Sequence, residues 1–149
     1  MTLRTGMIGA LLAMAPALRA QDKPPEVKYI TPAGAAATMP FSTAVRVDHV
    51  LYLSGTLGTD STNKLVAGGI AAETRQTMLN IKRTLEANGS SMDRVVKCLV
   101  MLADIAEWGQ MNTVYVTFFP THRPARSALG ASGLALNGRV EIECMATVP

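Results

Sequence analysis

The chain has 149 residues, 48% apolar and 17% charged, with 14 Lys+Arg against 11 Asp+Glu and a formal net charge of +3. One domain of ordinary size fits this length, and the apolar excess excludes a disordered chain or a coiled coil. The basic balance raises nucleic acid or an anionic surface as a partner, but aromatics are only 5% and do not interleave with the basic residues, so a base-stacking platform has no support.

Residues 1–20 read as a secretory signal peptide. Arg4 supplies the positive start, Met7 to Leu18 is an uncharged and mostly apolar run, and small residues lead to a cut after Ala20. A bilayer span needs ~20 apolar residues, so the run is too short to cross. The expectation is a periplasmic or secreted protein with no membrane segment once the leader is removed. A retained N-terminal tail on a cytosolic chain is the other reading. Arg4 and Arg19 both lie in this stretch, which holds no acid, so its removal leaves a net charge of +1.

Residues 21–26 read as a Pro-rich linker, and 27–149 as one domain. Val27 to Thr31 is a first strand, and Pro32 to Pro40 a loop. Thr43 to Val47 and His49 to Ser54 are strands around a tight turn near Asp48. Gly55 to Gly69 reads as loop. Ile70 to Asn88 is the clearest helix, with Thr74, Met78, Ile81 and Leu85 on one face and Asn88-Gly89 as its stop. Val95 to Leu102 is a central strand. Asp104 and Glu107 have capping-box spacing for a second helix running to about Phe119, with Met111, Val114, Tyr115 and Phe118 inward. Arg126 to Leu129 is a short strand. Arg139 to Val148 is the last, with Val140, Ile142, Cys144 and Ala146 on one face. The order β-β-β-α-β-α-β-β predicts an α+β fold with a mixed sheet and two helices on one face. Two helices leave the other face bare, and oligomerisation is the economical cover.

Cys98 and Cys144 each sit in an apolar, alternating run. Two buried thiols is the plainer reading; export would allow a disulfide. No His, Cys and carboxylate cluster has metal-ligand spacing. His49 and His122 sit in unrelated contexts, so a nucleophilic triad lacks its base. Gly68-Gly69 precedes a helix without a phosphate-loop Lys.

One constellation remains. Pro124-Ala125-Arg126-Ser127 places an arginine on a short strand, and Val140-Glu141-Ile142-Glu143 places two carboxylates on one side of another. A guanidinium is a natural fork for a carboxylate, and a nearby Glu can handle water or a proton. A plain ion pair between Arg126 and one of the glutamates accounts for the same residues.

Three blocks resemble the Rid (YjgF-type) reactive-intermediate deaminases, over about residues 27–148. They are Leu53-Ser54-Gly55; Thr74-Arg75-Gln76 with Asn80-Ile81-Lys82 and Leu85-Glu86-Ala87; and a C-terminal set of Asn112, Tyr115, Phe118-Phe119-Pro120, Pro124-Ala125-Arg126-Ser127 and Val140-Glu141-Ile142-Glu143-Cys144. The resemblance implies a chorismate-mutase-like domain, a homotrimer with a central β-barrel, and sites in clefts between subunits. It implies cofactor-free hydrolysis of a 2-imino or enamine acid to a 2-keto acid and ammonia. Arg126 would hold the substrate carboxylate and Glu141 would position water, while Asn112, Ser54 and Gly55 line the cleft. Only the family pattern chooses Glu141 over Glu143. Phe41 stands where many members have a cleft Tyr, Ala128 where a Cys is frequent, and Thr56-Leu57-Gly58 where Gln-Ile-Pro is common. The expected partners are a small 2-imino or 2-keto acid and two further copies of the chain, without nucleic acid. The rival expectation is a trimeric metabolite-binding or holdase-like protein that uses the same cleft without catalysis.

Overall fold

The computed structural model describes residues 23–31 and 39–149; the expected leader, its expected cleavage site and most of the 32–40 loop lie outside them. Seven strands form one sheet. They are β1 (Val27–Ile30), β2 (Ala44–Val47), β3 (Val50–Leu53), β4 (Thr56–Leu57), β5 (Val95–Leu102), β6 (Ala125–Gly130) and β7 (Val140–Thr147). The order across the sheet is β1-β2-β3-β7-β5-β6, with β4 also paired to β7. All pairings are antiparallel except β5 with β6, which α2 (Trp108–Tyr115) connects in parallel. Helix α1 (Gly69–Ala87) joins β4 to β5.

Alternation along β5 and β7 decides which face is core. Cys98, Val100, Leu102, Val140, Ile142 and Ala146 are fully or almost fully buried. The α1 stripe of Ile70, Thr74, Met78, Ile81 and Leu85 joins them in one core cluster, with Met111 and Tyr115 of α2. Tyr52, Lys97, Leu99, Leu129, Glu143 and Met145 take the alternate positions, and Tyr52, Leu129 and Met145 are substantially exposed. Both helices therefore cover one face of a mixed sheet, as expected.

Helix α1 begins where Gly68 adopts φ 118°, and a Cβ there would come within 2.8 Å of the Ala72 methyl. Its Asn80 ties the segment after β4 to the helix: Nδ2 donates to the Leu57 and Thr59 carbonyls at 3.0 and 2.9 Å, and Oδ1 accepts from Gln76. Gln76 and Asn80, part of the helix block that carries the family resemblance, thus hold the chain beside Ser54-Gly55.

The structure corrects four expectations. The Gly55–Gly69 stretch contains β4, too short for a period-two signal and formed by pairing with β7, and a Thr59–Leu65 bridge. The capping box is only half made. Asp104 Oδ1 accepts from the Ala106 N–H at 2.9 Å, but the Glu107 carboxylate is taken by Arg139. The second helix tightens to a 3-10 turn over Val116–Phe118, which leaves Phe118 half-buried and turns Phe119 into the core.

The fourth correction concerns the cysteines. Cys98 and Cys144 are joined as a disulfide, not left as thiols. They stand opposite each other on β5 and β7, Cα atoms 4.1 Å apart. This register could not be read from either strand alone. The bridge closes a 46-residue separation, which the chain-entropy account values at about 4 kcal/mol. Denatured, unreduced protein is expected to titrate no free thiol, and reduction to lower unfolding stability by about 2–4 kcal/mol. Two titratable thiols would contradict the bridge.

Candidate active site

Arg126 lies on β6 opposite Cys98 of β5, and this register turns its side chain toward the helix-covered face. On α2, Trp108, Asn112 and Tyr115 are spaced i, i+4 and i+7, so they share one face. That face meets the guanidinium. Arg126 Nη1 donates to Asn112 Oδ1 at 2.9 Å, and Cζ lies 4.7 Å from the Tyr115 ring centroid and 5.6 Å from that of Trp108. Two aromatic faces and one amide thus hold the fork in place. Among the described residues no carboxylate lies within ion-pair distance of Arg126. Its other N–H groups are free to form the paired bonds a carboxylate accepts. A cavity of about 340 Å³ opens here, walled by Trp108, Tyr115, Phe119 and Pro124.

Burial pushes the Tyr115 phenol up to about 12, against the pull of the Arg126 charge, which lowers it. Its hydroxyl is buried without a hydrogen-bond partner among the described residues. Tyr115 therefore presents a neutral ring to the guanidinium at any working pH. The native state keeps this proton longer than the unfolded chain, so the contribution to stability is complete below pH 10 and is lost as pH rises toward 12. Tyr115→Phe is expected to flatten that alkaline decline in denaturant titrations while matching or exceeding wild-type stability at pH 7. An identical decline in the variant would contradict the assignment.

Glu141 and Glu143 occupy the opposite face, alternating with buried Val140, Ile142 and Cys144. The two carboxylates separate in space. Glu143 lies across from Leu99 and lines a hollow of about 360 Å³ in mid-sheet with Lys97, Ser127 and Tyr52. Glu141 sits at the β4 end against Gly55, where a Cβ would fall 2.0 Å from Oε1. Only a glycine leaves the carboxylate this place. Ser54 Oγ donates to the Ser42 carbonyl at 2.7 Å, pinning the segment that carries Phe41. Phe41, about half exposed, lines with Ser54 and Gly55 a second cavity of about 490 Å³.

The residues singled out in the sequence thus form two groups. Arg126 and Asn112 meet on the helix side of the sheet, with Ala128 two residues along β6 and packed against the core. Glu141 and Gly55 meet on the open side, near Ser54 and Phe41. The sheet stands between the groups, and the simple ion pair between Arg126 and either glutamate does not form. Spacing alone did not single out Trp108 as a partner of Arg126. The signal was present in its i, i+4, i+7 relation to Asn112 and Tyr115, but a helical aromatic stripe ordinarily means core. Among the described residues no group of His, Cys, Asp or Glu could hold a metal ion, and no helix is long and apolar enough to cross a membrane.

Comparison with known proteins gives the family of the chain. Residues 32–148 match the family model described as Endoribonuclease L-PSP. The bovine 2-iminobutanoate/2-iminopropanoate deaminase is 44% identical over 121 residues, covering 80% of this chain and 88% of its own. The chloroplastic Reactive Intermediate Deaminase A of Arabidopsis thaliana is 39% identical over 114 residues, covering 76% of this chain and 61% of its own. The crystal structure of RidA from the Antarctic bacterium Psychrobacter sp. PAMC 21119 superposes with a TM-score of 0.74 at 36% identity, covering 81% of this chain and 99% of that one. A matching model over most of the described domain, with relatives at this identity, shows that the chain belongs to the YjgF/Rid family of the L-PSP model.

Proposed function

We propose that the protein hydrolyses the C=N bond of small 2-imino acids, or of their enamine tautomers, in clefts between subunits of a homotrimer. The observation that carries this reading is the division of the site. A guanidinium fork with no carboxylate partner among the described residues lies on one face of the sheet, and a carboxylate backed by Gly55 lies on the other. Copies packed through the open face, closing a central barrel, would bring Arg126 of one subunit to Glu141 of the next. The same packing would cover Tyr52, Leu129 and Met145.

In the cleft, Arg126 binds the substrate carboxylate and orients the imine carbon. Glu141 holds a water and takes its proton as the oxygen bonds to that carbon. Return of protons to nitrogen and loss of the C–N bond give the 2-keto acid and ammonia. Asn112, Trp108 and Tyr115 keep the fork aimed. Deaminase names among the relatives support the reaction kind.

The test generates 2-iminobutanoate or 2-iminopropanoate in situ with an amino-acid oxidase and follows keto-acid release, using protein purified without residues 1–20. Acceleration over the uncatalysed rate is expected. No acceleration, together with tight binding of a 2-keto acid, would favour the non-catalytic reading, which Phe41 supports by bringing a ring without a hydroxyl to the cleft.

Export after cleavage at Ala20 belongs to the same proposal. The disulfide supports it, since such bridges persist in oxidising compartments. The Arabidopsis thaliana relative, by contrast, bears a chloroplastic name. The N-terminal sequence of protein recovered from periplasm and cytosol decides the matter. A mature start at Gln21 in the periplasm is expected, and an intact leader in the cytosol would contradict it.

A further inference from the structure

The cavity at Arg126 is lined by a second arginine. Arg123 borders it beside Pro124, with Asn112 and the aromatic walls, and among the described residues no acidic side chain lines it. Arg123 is exposed and forms no ion pair or side-chain hydrogen bond among the described residues. Its backbone is constrained, because a residue before proline is held to extended conformations. Three residues of extended chain separate the two Cα atoms by at most ~10 Å, within reach of two long side chains converging on one ligand.

Two guanidiniums around one small cavity repel each other, and a bound anion relieves this. One carboxylate occupies the Arg126 fork. A second negative group is needed to use Arg123, and Trp108, Phe119 and Pro124 offer apolar wall for methylenes between the two charges.

We propose that Arg123 is a specificity-determining residue that selects 2-imino dicarboxylates, the imines of acidic amino acids, over their monocarboxylic counterparts. Arg126 takes the carboxylate next to the imine and Arg123 the distal one. This inference rests on the reading of the cavity as an imino-acid site.

The test compares 2-iminoglutarate with 2-iminobutanoate, each made in situ by an amino-acid oxidase, in wild type, Arg123→Gln and Arg123→Lys. Wild type is expected to prefer the dicarboxylate in kcat/KM. Arg123→Gln is expected to lower that preference about tenfold or more, mainly through KM, and Arg123→Lys to restore part of it. An unchanged preference in Arg123→Gln overturns the inference, as does a wild type that favours the monocarboxylate. Binding of 2-oxoglutarate and 2-oxobutanoate to the same proteins, measured by calorimetry, separates the two claims. If neither imine is turned over but Arg123→Gln selectively weakens 2-oxoglutarate, the deaminase reading fails and the Arg123 assignment stands. Equal weakening of both acids, or no binding of 2-oxoglutarate, ends the Arg123 assignment.

Discussion

Arg126→Ala is expected to lose 2-imino acid turnover by roughly 10²–10⁴-fold in kcat/KM while the protein stays folded and keeps the oligomeric state of the wild type. The size follows from the bonds removed. A carboxylate in the fork takes two charge-assisted hydrogen bonds, each contributing about 1.5–3 kcal/mol. The cost to the fold is small by comparison. Arg126 is partly accessible, its aromatic contacts contribute about 1 kcal/mol, and Asn112, also partly accessible, can turn its Oδ1 to water. Arg126→Lys keeps the charge but not the planar pair of donors, so it recovers only part of the loss. Melting temperature and sedimentation measured beside the kinetics distinguish a lost site from a lost fold. Wild-type turnover in Arg126→Ala would remove this residue from the mechanism.

Glu141→Gln has a different signature. The substitution preserves shape and removes the proposed base, so kcat should fall by about 10²–10⁴-fold with KM little changed, because the proposed carboxylate anchor is untouched. Gly55→Ala reaches the same result without altering the glutamate. Its new methyl would occupy the place of Oε1, and the carboxylate must swing away. Glu143→Gln serves as the contrast, since Glu143 lies in mid-sheet beside Lys97 and Ser127, and its turnover should stay near wild type. Loss in Glu143→Gln with normal rates in Glu141→Gln would reverse the assignment.

Much of the frame was legible before the structure. The α1 stripe, the alternation of β7 and the apolar run of β5 are strong periodic signals, and they place the same residues in the core. Arg126 and the Glu141/Glu143 pair could be singled out from their local strand contexts, while Asn112, Gly55 and the choice of Glu141 came only from the family resemblance. What joins them is not local. That Arg126 faces α2 depends on its parallel register with Cys98, and that Glu141, outward by the alternation of β7, meets Gly55 depends on the pairing of β4 with β7. Registers are fixed by tertiary pairing, and a shift of one residue reverses the face. The disulfide was hidden for the same reason. Trp108 is not legible as a partner of Arg126 in the sequence, because an aromatic on an amphipathic helix has the pattern of a core residue whether or not a guanidinium lies over it.

The division of the site across the sheet is the central claim, and subunit mixing tests it most directly. Arg126→Ala and Glu141→Gln chains, each expected to be inactive alone, are co-expressed in equal amounts so that the proposed trimers form at random. If each cleft takes its arginine from one chain and its glutamate from the next, about one cleft in four is intact, and about a quarter of wild-type turnover should return. If both residues act within one chain, every cleft carries a defect. Mixed trimers would then be as inactive as either parent, and the shared-cleft account would be wrong.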